Sequence, residues 1–151
     1  MMKFMTMKYV LPTLLLLSTL SPAKSLKLSS LPPAVRQAVT ENAKGAEIKA
    51  ITSEKEKGVT EYEVETMLNG KHRDFNLDSQ GKLVSVEEEV ALDSIPAAAR
   101  TAIEKKVASG KLERVELITA RSKTTWEASF TTAKGKKQEF QVTADGSAVK
   151  D

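Results

Sequence analysis

The chain carries the stretch Leu31-Pro32-Pro33-Ala34-Val35-Arg36-Gln37-Ala38-Val39, and 64 residues later it carries Ile95-Pro96-Ala97-Ala98-Ala99-Arg100-Thr101-Ala102-Ile103. When the two stretches are aligned, a proline, two alanines and the arginine coincide, and both ends keep an aliphatic residue. Further pairs follow in the same order at almost the same offset: Tyr62 with Trp126, Phe75 with Phe140, and Gly81 with Gly146. This spacing indicates an internal duplication.

Each copy opens with a predicted helix. In the first copy, apolar residues recur with the spacing of one helix face, at Leu31, Ala34, Val35, Ala38, Val39 and Ala43, and the second copy repeats the pattern. Ser30 and Ser94 stand where N-caps are expected, and Gly45 and Gly110 where the helices should end. Because alanine dominates this face, the larger core side chains must come from elsewhere.

The rest of each copy alternates between apolar and polar residues, as half-buried strands do. Tyr62, Val64 and Thr66 should face the helix, with Trp126 at the position equivalent to Tyr62, and Asn69-Gly70 is a strong hairpin signal. Four strands are predicted in each copy. The predicted fold class is therefore α+β, with two tandem repeats that each pack one helix on a four-stranded antiparallel sheet.

The amino terminus is typical of a secretory signal peptide. Lys3 and Lys8 precede an apolar run of about a dozen residues, short of the roughly 20 that a membrane-spanning helix needs. We expect residues 1–25 to form the signal peptide, with cleavage after Ala23 or Ser25. Residues 26–90 and 91–151 would then form the two modules of a periplasmic or secreted protein without a stable membrane span.

Composition excludes several classes of function. The 23 basic and 20 acidic residues nearly balance once Lys3 and Lys8 are assigned to the signal peptide, so the pI of about 9.0 does not indicate nucleic-acid binding. The absence of cysteine excludes disulfides and thiol chemistry. His72 is the single histidine and is expected at the surface. No residue is assigned to catalysis, a cofactor or a metal, and we expect a protein that is not an enzyme.

The chain resembles the PepSY-like domains, and the resemblance covers nearly all of the predicted mature chain. The first copy carries it in Leu31-Pro32, Glu61-Tyr62-Glu63-Val64-Glu65, Asn69-Gly70-Lys71, Phe75-Asn76-Leu77-Asp78 and Gln80-Gly81-Lys82-Leu83-Val84-Ser85-Val86. The second copy departs from the pattern at Thr143, which stands opposite Asp78. The resemblance implies the architecture of the beta-lactamase inhibitor protein, and binding or inhibition of a protein partner in the cell envelope, such as a peptidase. It implies no catalytic residue.

Carboxylates are the most abundant candidate functional groups in the sequence. The candidate partner-binding face consists of residues expected on one side of two paired strands: Glu61, Glu63, Glu65, Asp74, Asn76 and Asp78. Such a face could take a basic partner, or it could simply keep the sheet solvated. The run Glu87-Glu88-Glu89 is interpreted as solvated.

Other functions stay open at this point. The first alternative is a sensor or carrier that binds a small ligand or a cation on the acidic sheet face. A cystatin-like peptidase inhibitor ranks lower, because the Gln-Val-Val-Ala-Gly loop of that family is absent. A hydrolase that works with carboxylates alone ranks last, since the chain offers few aromatic residues to hold a sugar.

Overall fold

The computed structural model describes residues 25–150 and shows an α+β protein with one antiparallel sheet. The predicted signal peptide falls almost wholly outside these residues. The elements in chain order are α1 (Pro33–Asn42), β1 (Glu47–Glu56), β2 (Val59–Leu68), β3 (Lys71–Asp78), β4 (Leu83–Glu89), α2 (Ala97–Val107), β5 (Lys111–Ala120), β6 (Lys123–Thr131) and β7 (Lys137–Val142). The predicted fold class, with helices packed on antiparallel strands, is confirmed.

The seven strands pair in sequence order, so each strand lies beside its neighbours along the chain. The two copies join where β4 pairs antiparallel with β5, through partners such as Glu87 and Ile118. The repeats predict two separate sheets, and this pairing joins them into one. The predicted division between residues 90 and 91 stays a prediction, because the sheet continues across it.

The second copy differs from the first in its last strand. In the first copy β4 pairs along β3 over several residues, whereas the segment after Gly146 makes a single bridge, between Val142 and Ala148. The backbone N–H of Val149 also donates a hydrogen bond to the carbonyl of Gln141. Among the described residues, this segment therefore pairs less extensively than β4 does.

Both helices cover the same face of the sheet. The core under α1 contains Val35, Val39, Val64, Phe75 and Leu77, and all five are 4 % exposed or less. The core under α2 is built from the equivalent elements: Ile95, Ala99, Ile103, Val115, Ala128 and Val142. As the alanine-rich helices predict, the strands supply the bulky aromatic side chains of these cores.

Tyr62 and Trp126 occupy equivalent places, as the duplication predicts. Each is half-buried and packs against the core beneath its own helix. Tyr62 lies opposite Leu77 on β3, and Trp126 lies opposite Val142 on β7. The two aromatic residues therefore have the same structural role in the two halves.

The predicted N-caps are wrong. The Ser30 hydroxyl donates to the Lys27 carbonyl and the Ser94 hydroxyl donates to the Ala91 carbonyl, so each serine closes a short 3-10 turn ahead of its helix. The helices begin after Pro32 and Pro96, and neither has a side-chain cap. Proline's fixed φ prepares the first turn and its missing N–H leaves one donor fewer to satisfy.

Candidate functional site

The sheet face opposite the helices is called the outer face. The predicted binding residues Glu61, Glu63 and Glu65 lie on β2 and alternate with the buried Val64 and Thr66, which places them on this face. Glu63 and Glu65 are exposed and Glu61 is half-buried. The outer face thus presents three carboxylates in a row.

The other three predicted residues lie on β3 beside them. Glu61 pairs with Asp78, and Glu63 pairs with Asn76. The structure therefore brings the six predicted residues together on neighbouring strands, as the alternation predicts. Whether they bind a partner stays a prediction.

The residues on β3 also support the fold. Asp74 accepts a hydrogen bond from the buried N–H of Thr66 at 2.8 Å, and Asn76 donates to Ser85 at 3.0 Å. The Asp78 carboxylate accepts from the N–H groups of Gln80 and Lys82, both at 2.9 Å, and so holds the turn to β4. The residues on β3 are thus held by hydrogen bonds that support the fold, and the glutamates of β2 are the more available part of the predicted face for contact with a partner.

His72 lies at the start of β3, as the hairpin signal predicts. It is half-buried, and its Nδ1 is 3.9 Å from an oxygen of Asp74. Its backbone N–H donates to Glu89 at 3.1 Å. The single histidine therefore lies among carboxylates of the outer face.

Three further glutamates extend the outer face into the second copy. They are Glu87 on β4, Glu116 on β5 and Glu127 on β6, and together they form what we call the central acidic cluster. Glu116 is the cross-strand partner of Glu127 and is 3 % exposed, while Glu127 is 9 % exposed. Two ionised glutamates directly opposite each other on a sheet destabilise it, so this pair is unfavourable when both carboxyl groups are charged.

The cluster has one cation close by. Arg114 Nε lies 3.0 Å from Glu116 Oε1, which is ion-pair distance. The N–H does not have hydrogen-bond geometry toward that oxygen, and both buried atoms lack a hydrogen-bond partner. Within residues 25–150, Glu87 and Glu127 receive neither a side-chain hydrogen bond nor a cation within 4.0 Å.

The cluster holds its protons more tightly than ordinary glutamates do. Burial, followed by repulsion from Glu116 and Glu127, raises the pKa of Glu87 to about 8. Burial and then repulsion from Glu139 and Glu116 raise the pKa of Glu127 to about 7. The pKa of Glu116 is also raised, chiefly by burial, and Arg114 partly offsets this. Near neutral pH the cluster is therefore partly protonated.

Sequence reasoning missed the central acidic cluster. The charge run Glu87-Glu88-Glu89 predicts a solvated Glu87, yet Glu87 is half-buried on the outer face. The alternation of Trp126, Glu127 and Ala128 does place Glu127 on that face. The missing information was the pairing of β4 with β5, which brings carboxylates of the two copies side by side.

The outer face offers no metal site among the described residues. No group of three or more His, Cys, Asp and Glu side chains in residues 25–150 is arranged to hold a metal ion. Two shallow grooves of about 500 and 240 Å³ lie on the helix side, along α1 and α2. The titratable groups that line them are Arg36, Glu41 and Glu104, far from the carboxylates of the sheet. In the same part of the chain, every helix is too short or too polar to cross a bilayer.

Comparisons with known proteins show what the fold is similar to. No protein-family model matches the chain, and no curated protein matches it. A solved structure from Bacteroides eggerthii, described as a candidate periplasmic protein, superposes with a TM-score of 0.62 at 17 % identity, over 80 % of this chain and 86 % of that one. A BLIP-like protein from Bacteroides fragilis gives 0.53 at 17 % identity, over 80 % and 84 %.

A third solved structure is a DUF2874 family protein from Bacteroides uniformis. It gives a TM-score of 0.59 at 16 % identity, over 79 % of this chain and 86 % of that one. At these identities the similarity shows a shared fold. The chain therefore has the fold of BLIP-like and DUF2874 proteins.

Proposed function

We propose that this chain, which has the fold of BLIP-like and DUF2874 proteins, is an exported PepSY-like protein that binds a protein partner through the outer face of its sheet. The partner belongs to the cell envelope, and a peptidase that the chain inhibits is one such partner. The chain acts without catalysing a reaction.

The carboxylates of the outer face carry this proposal. The helices cover one face of the sheet and leave the other face open, with Glu63 and Glu65 exposed on it. Farther across the same face, on β5 and β6, Glu116 and Glu127 are almost fully buried opposite each other, and Arg114 lies at ion-pair distance from Glu116. Buried charges without partners are costly to a protein on its own, and groups with perturbed pKa values concentrate at functional sites. A partner that covers this face could supply opposite charge and hydrogen-bond donors to these carboxylates.

The export and the kind of partner rest on different support. Export is supported by the predicted signal peptide, and a candidate periplasmic protein shares the fold. A protein partner is supported by the broad polar sheet face and by the fold shared with a BLIP-like protein. The grooves beside the helices are shallow and hold few polar groups, which favours a flat protein surface over a small ligand.

A pull-down from an envelope fraction tests the proposal. The tagged protein is compared with a variant that carries Glu61→Lys, Glu63→Lys and Glu65→Lys, and captured proteins are identified by mass spectrometry. A matched control carries Glu41→Lys, Asp93→Lys and Glu104→Lys, which change the net charge equally at exposed positions away from the sheet. We expect the outer-face variant to lose a partner that the control retains. If the outer-face variant retains every partner, this face is not the binding surface.

A further inference from the structure

Among residues 25–150, Arg114 is the one cation within 4.0 Å of the central acidic cluster. Arg114 lies at ion-pair distance from Glu116, but the described residues place no cation within 4.0 Å of Glu127, which is only 9 % exposed. The same residues give Glu127 no hydrogen-bond donor, and Glu116 Oε1 is buried without a hydrogen bond. Buried carboxylates are normally paired. The unpaired carboxyl group of Glu127 therefore keeps acceptor oxygens that a donor from outside the chain can use.

Chemistry limits what that group can be. The described residues form no group of three or more His, Cys, Asp and Glu side chains arranged to hold a metal ion, so we consider an organic cation. A guanidinium or an ammonium group does fit, because it brings a positive charge together with several N–H donors. Glu87 on β4 and Glu127 on β6 lie on either side of β5 on the outer face. A guanidinium can donate to both carboxylates from above β5, since its donors are spread over a planar fork. Glu87 is half-buried and so can be reached from outside.

The geometry points to a site for a basic side chain: an arginine or lysine of the protein partner lies against Glu87 and Glu127 and donates hydrogen bonds to their carboxylates. This inference rests on the proposed function, and it names the residue type through which the partner is recognised. Arg114 partly offsets the rise that burial causes in the pKa of Glu116. The glutamates of β2 lie on the same face, across β3 from Glu87, and would contact another part of the partner.

Binding of a cation in this place is coupled to proton release. Glu87 faces Asp74 and Glu63 on one side and Glu116 and Glu127 on the other, and Arg114 adds a positive charge near the last two. Burial and these acidic neighbours hold the pKa of Glu87 above that of an ordinary glutamate, so its carboxyl is largely protonated at pH 7. A cation favours the ionised form and displaces the proton. The affinity should therefore rise between pH 6 and pH 8.5.

Calorimetry with a defined basic probe tests the site. An acetylated hexa-arginine peptide is titrated into the purified protein at pH 8.5, and into Glu87→Gln, Glu127→Gln and the control Glu104→Gln. Each substitution removes one carboxylate, but Glu104 lies exposed on α2. We expect the dissociation constant to rise at least about tenfold in each cluster variant and less than about twofold in the control, as befits loss of a charge-assisted contact. Circular dichroism checks that the variants are folded.

Several results would overturn the inference. They are no detectable binding of the peptide, equal affinity in the cluster variants and the control, or an affinity that falls between pH 6 and pH 8.5. Spermidine serves as a free small cation, and binding of spermidine as tightly as the peptide would contradict a protein source. If Glu87→Gln and Glu127→Gln still capture the envelope partner that the β2 charge reversals lose, the inference fails while the proposed function stands.

Discussion

Gly81 lies against the backbone carbonyl of Ala34 in the same way that Gly146 lies against the carbonyl of Ala98. A Cβ added at Gly81 would be 2.6 Å from Ala34 O, and one added at Gly146 would be 2.7 Å from Ala98 O. Both glycines also have positive φ, +79° and +81°. The turn after the third strand of each copy thus packs against the first turn of that copy's helix. The two copies therefore share this helix-to-turn contact, as expected of a duplication.

The contact predicts that Gly81→Ala destabilises the protein. The substitution adds a backbone clash to an unfavourable positive φ, and we expect a loss of about 2–4 kcal/mol in the free energy of unfolding. Gly58→Ala is the matched control, because Gly58 has φ +85° but nothing within 4 Å of its added Cβ. The control should lose only about 1 kcal/mol. Urea unfolding measures both, and equal losses would show that the contact with Ala34 is unimportant.

Phe75 and Phe140 occupy equivalent positions but differ in burial. Phe75 is 0 % exposed, because β4 places Val86 beside it, whereas Phe140 is half-buried and lies beneath Lys106 at 5.3 Å. We therefore expect Phe75→Ala to cost about 3–5 kcal/mol and Phe140→Ala clearly less. Thermal or urea unfolding of the two variants checks the difference. Similar costs would mean that the second half is as fully covered as the first.

Stability should depend on pH through Glu87. Its pKa is about 8 in the folded protein against an ordinary value of 4.5, so the folded state keeps a proton that the unfolded chain has released. The free energy of unfolding should therefore fall as the pH rises from 4.5 to about 8 and then level off. Because Glu87 is partly exposed, we expect Glu87→Gln to stabilise the protein by only about 1–2 kcal/mol at pH 8.5.

Urea unfolding at several pH values measures this effect. The stabilisation by Glu87→Gln should shrink toward zero below pH 4.5, where the glutamate is protonated in both states. Glu104→Gln, at an exposed helix position, should change stability by less than about 0.5 kcal/mol at pH 8.5. A destabilised Glu87→Gln at pH 8.5 would mean that the carboxylate has a partner in the folded chain.

Asp74 should contribute to stability through one hydrogen bond. Its carboxylate accepts from the N–H of Thr66, a residue that is 0 % exposed. Asp74→Ala leaves this donor unsatisfied and should cost about 1–3 kcal/mol, whereas Asp74→Asn keeps an acceptor oxygen and should cost less. The same unfolding measurement compares them. Equal costs would indicate that the hydrogen bond contributes little.

Local sequence patterns predicted the elements and the side of the sheet on which residues lie. The alternation around Val64 placed Glu63 and Glu65 on the outer face, and the aligned repeats placed Tyr62 and Trp126 under their helices. The serine caps were wrong because a proline, rather than the serine two residues before it, sets the start of each helix. These features depend on neighbours in the chain.

The central acidic cluster could not be predicted in the same way. Its members Glu87, Glu116 and Glu127 belong to three strands, and they meet because β4 pairs with β5. That pairing joins two repeats that could each have formed a separate sheet. A charge run such as Glu87-Glu88-Glu89 is usually solvated, and only the register shows that Glu87 lies among buried carboxylates.

Site-specific photo-crosslinking in the exporting cell tests the central claim, that the outer face binds a protein partner, most directly. A photoreactive amino acid is placed at Glu63 on the outer face or at Glu41 on the exposed side of α1, and crosslinked products are identified after illumination. The account predicts a discrete crosslinked partner from position 63 and none from position 41. Crosslinking to a partner from position 41 alone, or from neither position, would contradict it.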